Sequence, residues 1–460
     1  MQRRDFLRGA LITAALIPVA GSLASCAAGE AEPVSAGVKS ATNPFGLKQS
    51  STVDAVIFNG GNGYDYVTYA AELVEDNHKG VTTKITPVTN IAQTMQPRFV
   101  AGNPPDLLDN SGSNQIGYTI ISDQLSELDD VFAANNLEGE KISDTLYPGV
   151  KTHGTPGDEL RRISYTLTAF GVWYSASLFE QNGWAPPKTW DEAFDLGAKA
   201  EAAGKYLWVW GKEASTYYLT LVANSAIKEG GDEVRLAMDN LKPKAWSMPE
   251  IRDTLTALEK MVKLGYFIPG GAGTQFTAAQ ARWSNDQQAL LYPSGAWIAN
   301  EMKKVTKEGF RMTVAPEPTL SANPKLPYEA MRAAYDGQFM VPKQAKNVAG
   351  GKEVLRTMLS KDAATNFTRT RLASTIVKGL VPEDGFGSTA LVSQTKMLAA
   401  AGTNTFDYLF PAVYGMGADH TVLWSSFLSG SIDAAGLAAG MQQISDEVAN
   451  DSSVKKIPVT

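Results

Sequence analysis

Between residues 54 and 109, three short apolar runs alternate with two segments of helical period, and this alternation restricts the possible fold more than anything else in the chain. DAVIF (54–58) is the first run and ends at Asn59-Gly60-Gly61-Asn62-Gly63. Val67, Ala70, Ala71 and Val74 follow at i, i+3, i+4 and i+7, the spacing of one helix face. His78-Lys79-Gly80 close that helix with a cationic turn and a glycine. TTKITPV (82–88) reads as a second strand and 91–100 as a second helix. Pro104-Pro105-Asp106-Leu107-Leu108 opens a third strand that runs into Asp109-Asn110-Ser111-Gly112. Strand, helix, strand, helix, strand predicts a parallel sheet covered by helices.

The rest of the chain is richer in helix. Helical patterns dominate 188–305 and 349–450, with strands expected at 163–173, 206–209, 311–315 and 338–341. No repeat at solenoid or propeller period is present. An α/β unit followed by a helix-rich body predicts two lobes with a cleft between them.

Ahead of these lies an address. Arg3 and Arg4 form a twin-arginine pair, a short apolar run spans 10–23, and Leu23-Ala24-Ser25 leads to Cys26, the only cysteine in 460 residues. A basic start, a short apolar middle and a small-residue end describe a cleavable export signal, not a structural helix. The run is about 14 residues, short of the roughly 20 needed to span a hydrocarbon core. The LASC ending resembles a bacterial lipobox, which implies that residues 1–25 are a twin-arginine lipoprotein signal and Cys26 the lipidated new N-terminus on the outer face of the cell membrane; the alternative is a signal peptide with a chance cysteine. The small, polar stretch 27–52 has no periodic apolar face and reads as a tether. With one cysteine no internal disulfide is available, so stability must come from a buried core.

Composition narrows the partners. The formal net charge is −7, and removing residues 1–25 takes away three arginines and one aspartate to leave −9. Without a basic patch or a Lys/Arg run, a nucleic-acid or phosphorylated ligand is disfavoured. The three histidines, His78, His153 and His420, stand apart, with no HExxH or Cys/His cluster. No G-x-S-x-G elbow and no EF-hand loop occurs. No catalytic residue, metal or cofactor is assigned, although two carboxylates suffice for a glycosidase and one sequence does not exclude such a pair.

The loop after the first strand lacks the third glycine of a dinucleotide fingerprint, where Tyr66 stands, and no GK[ST] follows for a P-loop. What remains is a glycine turn at the carboxyl edge of the sheet, where open α/β sheets bind ligands. Asn59, Tyr64 and Asp65 gather there, although the same glycines also suit a plain turn. Asn110 ends the third strand beside them and offers both donor and acceptor to hydroxyl groups, or else makes an ordinary Asx turn. Thr189-Trp190-Asp191-Glu192 reads as a capping box, not a catalytic carboxylate pair. In YLWVW (206–210), Trp208 and Trp210 share a strand face that ends near Glu213. Trp283, Trp297 and Trp424 are further candidates, Trp297 being presented by the Pro293-Ser294-Gly295 turn. Core packing is the alternative for each indole.

AGNPPDLLDNSG (101–112), VWYSASLFEQNGWAPPKTWDEA (172–193) and DQQALLYPSGAWIANEM (286–302) resemble the family 1 extracellular solute-binding proteins of ABC importers. The family usually has Tyr-Asn where this chain has Tyr174-Ser175. VDAVIFNGGNGYDYVTYAAE (53–72), KYLWVWGKEASTYY (205–218) and YFIPGGAGTQFTAAQARWSN (266–285) resemble its actinobacterial subgroup that binds N-acetylglucosamine and chitobiose-type sugars. The resemblance implies a two-lobe, type II periplasmic-binding-protein-like α/β fold with a helix-rich C-terminal lobe. It implies a first lobe from 53–163 and 336–380 and a second from 164–335 and 381–460, with crossings near 160–168, 332–342 and 378–388.

It further implies a monomeric receptor that delivers sugar to a membrane permease and its separate ATPase. By that resemblance Asn59, Tyr64, Asp65, Asn110, Trp210, Glu213, Trp283, Trp297, Tyr335 and Trp424 are expected to line the cleft, with Trp297 as a sugar platform. A pyranose suits such a set, because its C–H face can lie on an indole while amides and carboxylates bond its hydroxyls. The rival expectations are a lipid-anchored glycosidase, a receptor for another oligosaccharide and a structural surface protein.

Overall fold

The structure is a computed structural model that describes residues 37–147, 150–153 and 159–459. The expected signal peptide, Cys26 and the first part of the expected tether lie outside the described residues. In chain order the strands are β1 (Thr52–Phe58), β2 (Thr82–Val88), β3 (Leu107–Asp109), β4 (Ile163–Ala169), β5 (Gly171–Ser175) and β6 (Tyr206–Trp208). They continue with β7 (Ala289–Ser294), β8 (Met312–Ala315), β9 (Met331–Met340), β10 (Ser374–Thr375) and β11 (Thr405–Phe406). Two sheets result: one in the order β10-β4-β9-β3-β1-β2 with β11 joined to β9, the other in the order β6-β7-β5-β8.

The first sheet realises the alternation read at residues 54–109. β1 pairs in parallel with both β2 and β3. Its Val53, Ala55 and Ile57 enter one core with Val67, Ala70 and Val74 of the helix Asp65–Asn77 and Val354, Leu355 and Met358 of the helix Val348–Met358. Its Val56 joins Leu108 in a second core, with Ile91, Met95 and Phe99 of the helix Ile91–Val100. A strand covered on both faces reads as a near-continuous apolar run, as DAVIF does. Each fully buried Val or Leu in these faces contributes roughly 1.5–3 kcal/mol.

The second sheet carries helices, among them Trp190–Ala202, Tyr217–Gly230 and Pro249–Lys263. The first has the expected cap: Thr189 Oγ1 accepts from the Glu192 N–H at 3.2 Å. The Glu192 carboxylate accepts from the Lys188 N–H at 2.7 Å, so it serves the helix start. Inside this lobe, fully buried Lys228 donates to the carbonyls of Glu317 (2.6 Å) and Tyr328 (2.9 Å), and Asn224 Nδ2 bonds Glu317 Oε1 at 2.6 Å. Burial lowers the Lys228 ammonium to about 8. Its two backbone partners tie the segment entering β9 to the helix Tyr217–Gly230.

Strand pairing moves two of the expected crossings. The apolar run 163–173 is two strands broken at Phe170, with β4 in the first sheet and β5 in the second. The first crossing is therefore at Phe170, not at 160–168. The return lies between β8 and β9, ahead of 332–342, since β9 pairs with β4 from the pair Ala169–Ala333 to the pair Ile163–Phe339. Residues 164–169 and 331–335 thus belong to the first lobe's sheet. The expected tether is also shorter. Phe45 and Leu47 are buried in the first lobe's core, and Asn43 Nδ2 bonds the Leu47 carbonyl at 2.9 Å, so the chain belongs to the folded body well before residue 52.

Candidate functional site

Register places the carboxyl ends of β1 and β3 side by side, with Val56 opposite Leu108. The Asn59 N–H donates to the Val88 carbonyl at 2.8 Å, and its residue is exposed at this edge. The Gly63 N–H closes a turn on the Gly60 carbonyl at 2.8 Å. Tyr64 then occupies the N-cap of the helix Asp65–Asn77 and is half-buried. Asp65 is exposed and ion-paired with Arg371 at 3.0 Å. Gly60 and Gly112 both lie on the Phe58 ring, where a Cβ would come within 2.1 and 2.5 Å of it, so one aromatic ring seats both loops.

Asn110 does not offer its amide to a cleft. It is fully buried, its Nδ2 donates to the Ile116 carbonyl at 2.8 Å, and its Oδ1 accepts from the Ile116 N–H at 2.9 Å. The side chain braces the loop 110–116, a longer version of the Asx turn weighed above. Beside it, buried Asp109 is pushed up to about 7 by burial, against hydrogen bonds from Ser111 and the Phe58 backbone.

On the second lobe, Trp297 stands where the chain turns out of β7. Its indole N–H donates to the Tyr217 hydroxyl at 2.9 Å, and its ring meets the Phe170 ring edge-on at 5.3 Å. It is half-buried, whereas the other expected indoles are core residues. Trp283 stacks on Tyr292 at 5.9 Å and donates to the Leu290 carbonyl. Trp424 is buried with an edge-to-face contact to Phe427. Trp210 lies beneath Gly271, where a Cβ would fall 2.2 Å from the indole. All three indoles are buried, Trp424 with an indole N–H that has no hydrogen-bond partner among the described residues. Exposed Glu213 accepts from the Phe276 N–H at 3.1 Å. Tyr335 is half-buried in β9, opposite Leu167 of β4.

Several residues around the cleft escape a sequence reading. Arg332, at the start of β9, bonds Asp407 at 2.8 Å, and its guanidinium lies over the rings of Phe170 (4.3 Å) and Tyr408 (3.9 Å). Its carbonyl accepts the Phe170 N–H at 3.1 Å. The break between β4 and β5, the start of β9 and the chain after β11 therefore meet at one side chain. The available signal was a lone arginine in the otherwise apolar run MRAAY, which needs a buried partner.

Among the described residues, two of the places where the lobes touch are marked by hydrogen bonds. At the first, the Asn300 amide donates to the Gly61 carbonyl at 2.7 Å, and a methyl on Gly61 would fall 2.8 Å from both Trp297 Cβ and Glu301 Oε1. Glu301 accepts from Gln280 Nε2 at 2.8 Å, and burial pushes its carboxyl up to about 7. At the second, the Thr119 hydroxyl donates to the Val413 carbonyl at 3.3 Å. Phe170, Tyr217, Thr220, Ser294 and Glu317 border a narrow gap beside Trp297. A separate cavity of about 70 Å³, lined by Tyr147, Leu167, Ala333, Gln394 and Leu398, lies against β4 and β9. Among the described residues no three His, Cys, Asp or Glu side chains gather as metal ligands, and no helix is long and apolar enough to cross a membrane.

Two α/β bodies, each built on its own sheet and joined by chain crossings at Phe170 and ahead of β9, have the periplasmic-binding-protein fold. The family model described as bacterial extracellular solute-binding protein matches residues 59–365, and the chain belongs to that family of binding proteins, which are not enzymes. Over 462 aligned residues, covering 100% of this chain and 98% of the relative, it is 58% identical to the diacetylchitobiose binding protein NgcE of Streptomyces coelicolor. It is 27% identical over 213 residues, 42% of this chain and 48% of the relative, to an uncharacterized ABC transporter extracellular-binding protein of Pyrococcus horikoshii. A solved chitin oligosaccharide binding protein superposes with a TM-score of 0.70 at 16% identity, covering 87% of this chain and 99% of the other. RafE in complex with raffinose gives 0.67 at 15% identity, covering 86% and 99%.

Proposed function

We propose that this chain is the receptor of an ABC sugar importer and that it captures diacetylchitobiose, or a closely related N-acetylglucosamine sugar, between its lobes. The observation that carries this reading is the 58% identity to the diacetylchitobiose binding protein over essentially the whole of both chains. The cleft chemistry is compatible. The Trp297 ring is oriented by Tyr217 and Phe170 and suits the C–H face of a pyranose. Asn59 and Tyr64 stand at the facing strand edge, where hydroxyl and acetamido groups find donors and acceptors. Closure about the Phe170–Arg332 hinge buries the sugar and completes a surface for a membrane permease. The protein acts as a monomer, and ATP hydrolysis belongs to a separate subunit.

A ligand panel read by thermal unfolding tests this. Diacetylchitobiose at a hundredfold excess over Kd is expected to stabilise the fold by about 2.7 kcal/mol. Maltose and raffinose at the same concentration should leave the transition in place. A shift with maltose or raffinose and none with diacetylchitobiose would contradict the assignment.

The same reading places the receptor outside the cell, exported through the Arg3-Arg4 signal and held by lipid on Cys26. Cys26→Ser is expected to move it from the membrane fraction into the medium. Unchanged fractionation would remove the anchor from this account.

A further inference from the structure

We propose that Glu301 is the carboxyl sealed by lobe closure, so that capture of a ligand takes up a proton at this residue. The inference rests on the reading that the lobes close over their ligand, and it adds a second species to what they capture.

Glu301 is a partly buried carboxyl with contacts from both lobes. Glu301 stands one helical turn after Trp297, and its N–H donates to the Trp297 carbonyl at 3.0 Å. From its own lobe, Gln280 Nε2 bonds its Oε2 at 2.8 Å. From the opposite lobe, the Gly61 turn covers its Oε1 so closely that a single added methyl would stand 2.8 Å away. The neighbouring Asn300 amide clasps that turn by its carbonyl at 2.7 Å. Separating the lobes removes Gly61 and returns the carboxyl to water.

The surrounding charges do not compensate. Gln280 is neutral, and Tyr217 and Tyr292 carry phenols whose own ionisation is pushed up by burial and then by the charge of Glu301. Arg371 comes from a helix that packs against this one, but its guanidinium bonds Asp65 at 3.0 Å. Asp336 also acts on Tyr217 and adds negative charge. Lys303 and Lys304 follow Glu301 in sequence and are exposed. Burial therefore dominates and holds the carboxyl at about 7 where Gly61 lies against it. In the open form water returns it toward the ordinary carboxylate value of about 4.3.

The sign follows from linkage. The closed form binds more protons between those two values, so closure is favoured at low pH and weakens as pH rises through 7. The closed-to-open ratio is expected to fall about tenfold between pH 6 and pH 8.

The test reads closure without any sugar. Dyes placed through Glu72→Cys and Lys263→Cys, exposed positions on the two lobes, in a Cys26→Ser background report the lobe separation by energy transfer. The expected result is a closed-to-open ratio that drops about tenfold from pH 6 to 8, and a flat profile when Glu301→Gln is added. A flat profile with Glu301 intact, or an equal slope with Glu301→Gln, overturns the proposal. Calorimetry of diacetylchitobiose at pH 7 in two buffers of different ionisation enthalpy supplies the second reading, with about half a proton taken up per sugar. Heat without proton uptake also overturns the proposal and leaves the receptor reading standing. A pH-dependent closure in a protein that gives no heat with diacetylchitobiose instead contradicts the sugar.

Discussion

Gly61→Val is expected to reduce diacetylchitobiose affinity by at least about tenfold while leaving both lobes folded. Gly61 does not adopt a left-handed backbone conformation, so valine brings no backbone strain of that kind. Its Cβ would instead stand 2.8 Å from Trp297 Cβ and from Glu301 Oε1, both on the opposite lobe. That clash is relieved by separating the lobes. Apparent affinity falls by the fraction of molecules still able to close, so a closed population cut to about a tenth gives about a tenfold loss. Away from the seam nothing is disturbed, and a surface change of this kind costs about 0.5 kcal/mol or less. Scattering is expected to show a more extended particle in the presence of sugar, beside a nearly unchanged melting temperature. A variant that binds and compacts normally would contradict the closure account at this contact.

The second large effect is Trp297→Ala, expected to cost about 2 kcal/mol or more of binding, roughly thirtyfold in affinity. The ring is half-buried, and its hydrogen bond to Tyr217 fixes one orientation. A preorganised indole loses little freedom when a sugar ring covers it, which is why its removal should be felt in affinity. Trp297→Phe keeps an aromatic face but loses the bond to Tyr217, and should fall between the two. The diagnostic quantity is the separation of binding from stability. If Trp297→Ala unfolds more than about 10 °C lower, as large core truncations do, the indole is packing material and the platform assignment fails.

The contrast with the other tryptophans shows how much of this molecule is legible in its sequence. The β1-to-β3 unit is readable because its information is local: short apolar runs, a 3.6-residue period and a glycine stop follow one another within residues 54–109. Whether an indole faces a cleft is not local. Trp210 is covered by Gly271, some sixty residues on, and Trp283 by Tyr292 from the adjoining strand. Trp297 differs from them only in what its neighbours leave uncovered. Asn110 was placed at the right strand end, but its amide is consumed by Ile116 within its own loop.

The hinge was hidden for another reason. ISYTLTAFGVWYS is β-prone throughout, and although the alternation of ISYTLTA lapses at Phe170-Gly171, that lapse alone does not tell a bend within one strand from a change of sheet. Only the pairing partners, β9 for one half and β7 and β8 for the other, divide it. Arg332 completes the hinge through Asp407, a residue 75 positions away. Glu301 stands one turn beyond Trp297, but its enclosure depends on Gly61 from the other lobe.

A neutral N-acetylated sugar captured between the lobes should be measurable as heat. Isothermal titration of the mature protein with diacetylchitobiose, N-acetylglucosamine, maltose and raffinose tests it most directly. Saturable heat is expected for one diacetylchitobiose per chain, lost or strongly weakened in Trp297→Ala and Gly61→Val, and none with maltose or raffinose. No heat with either N-acetylated sugar, or equal affinity in those two variants, would contradict it.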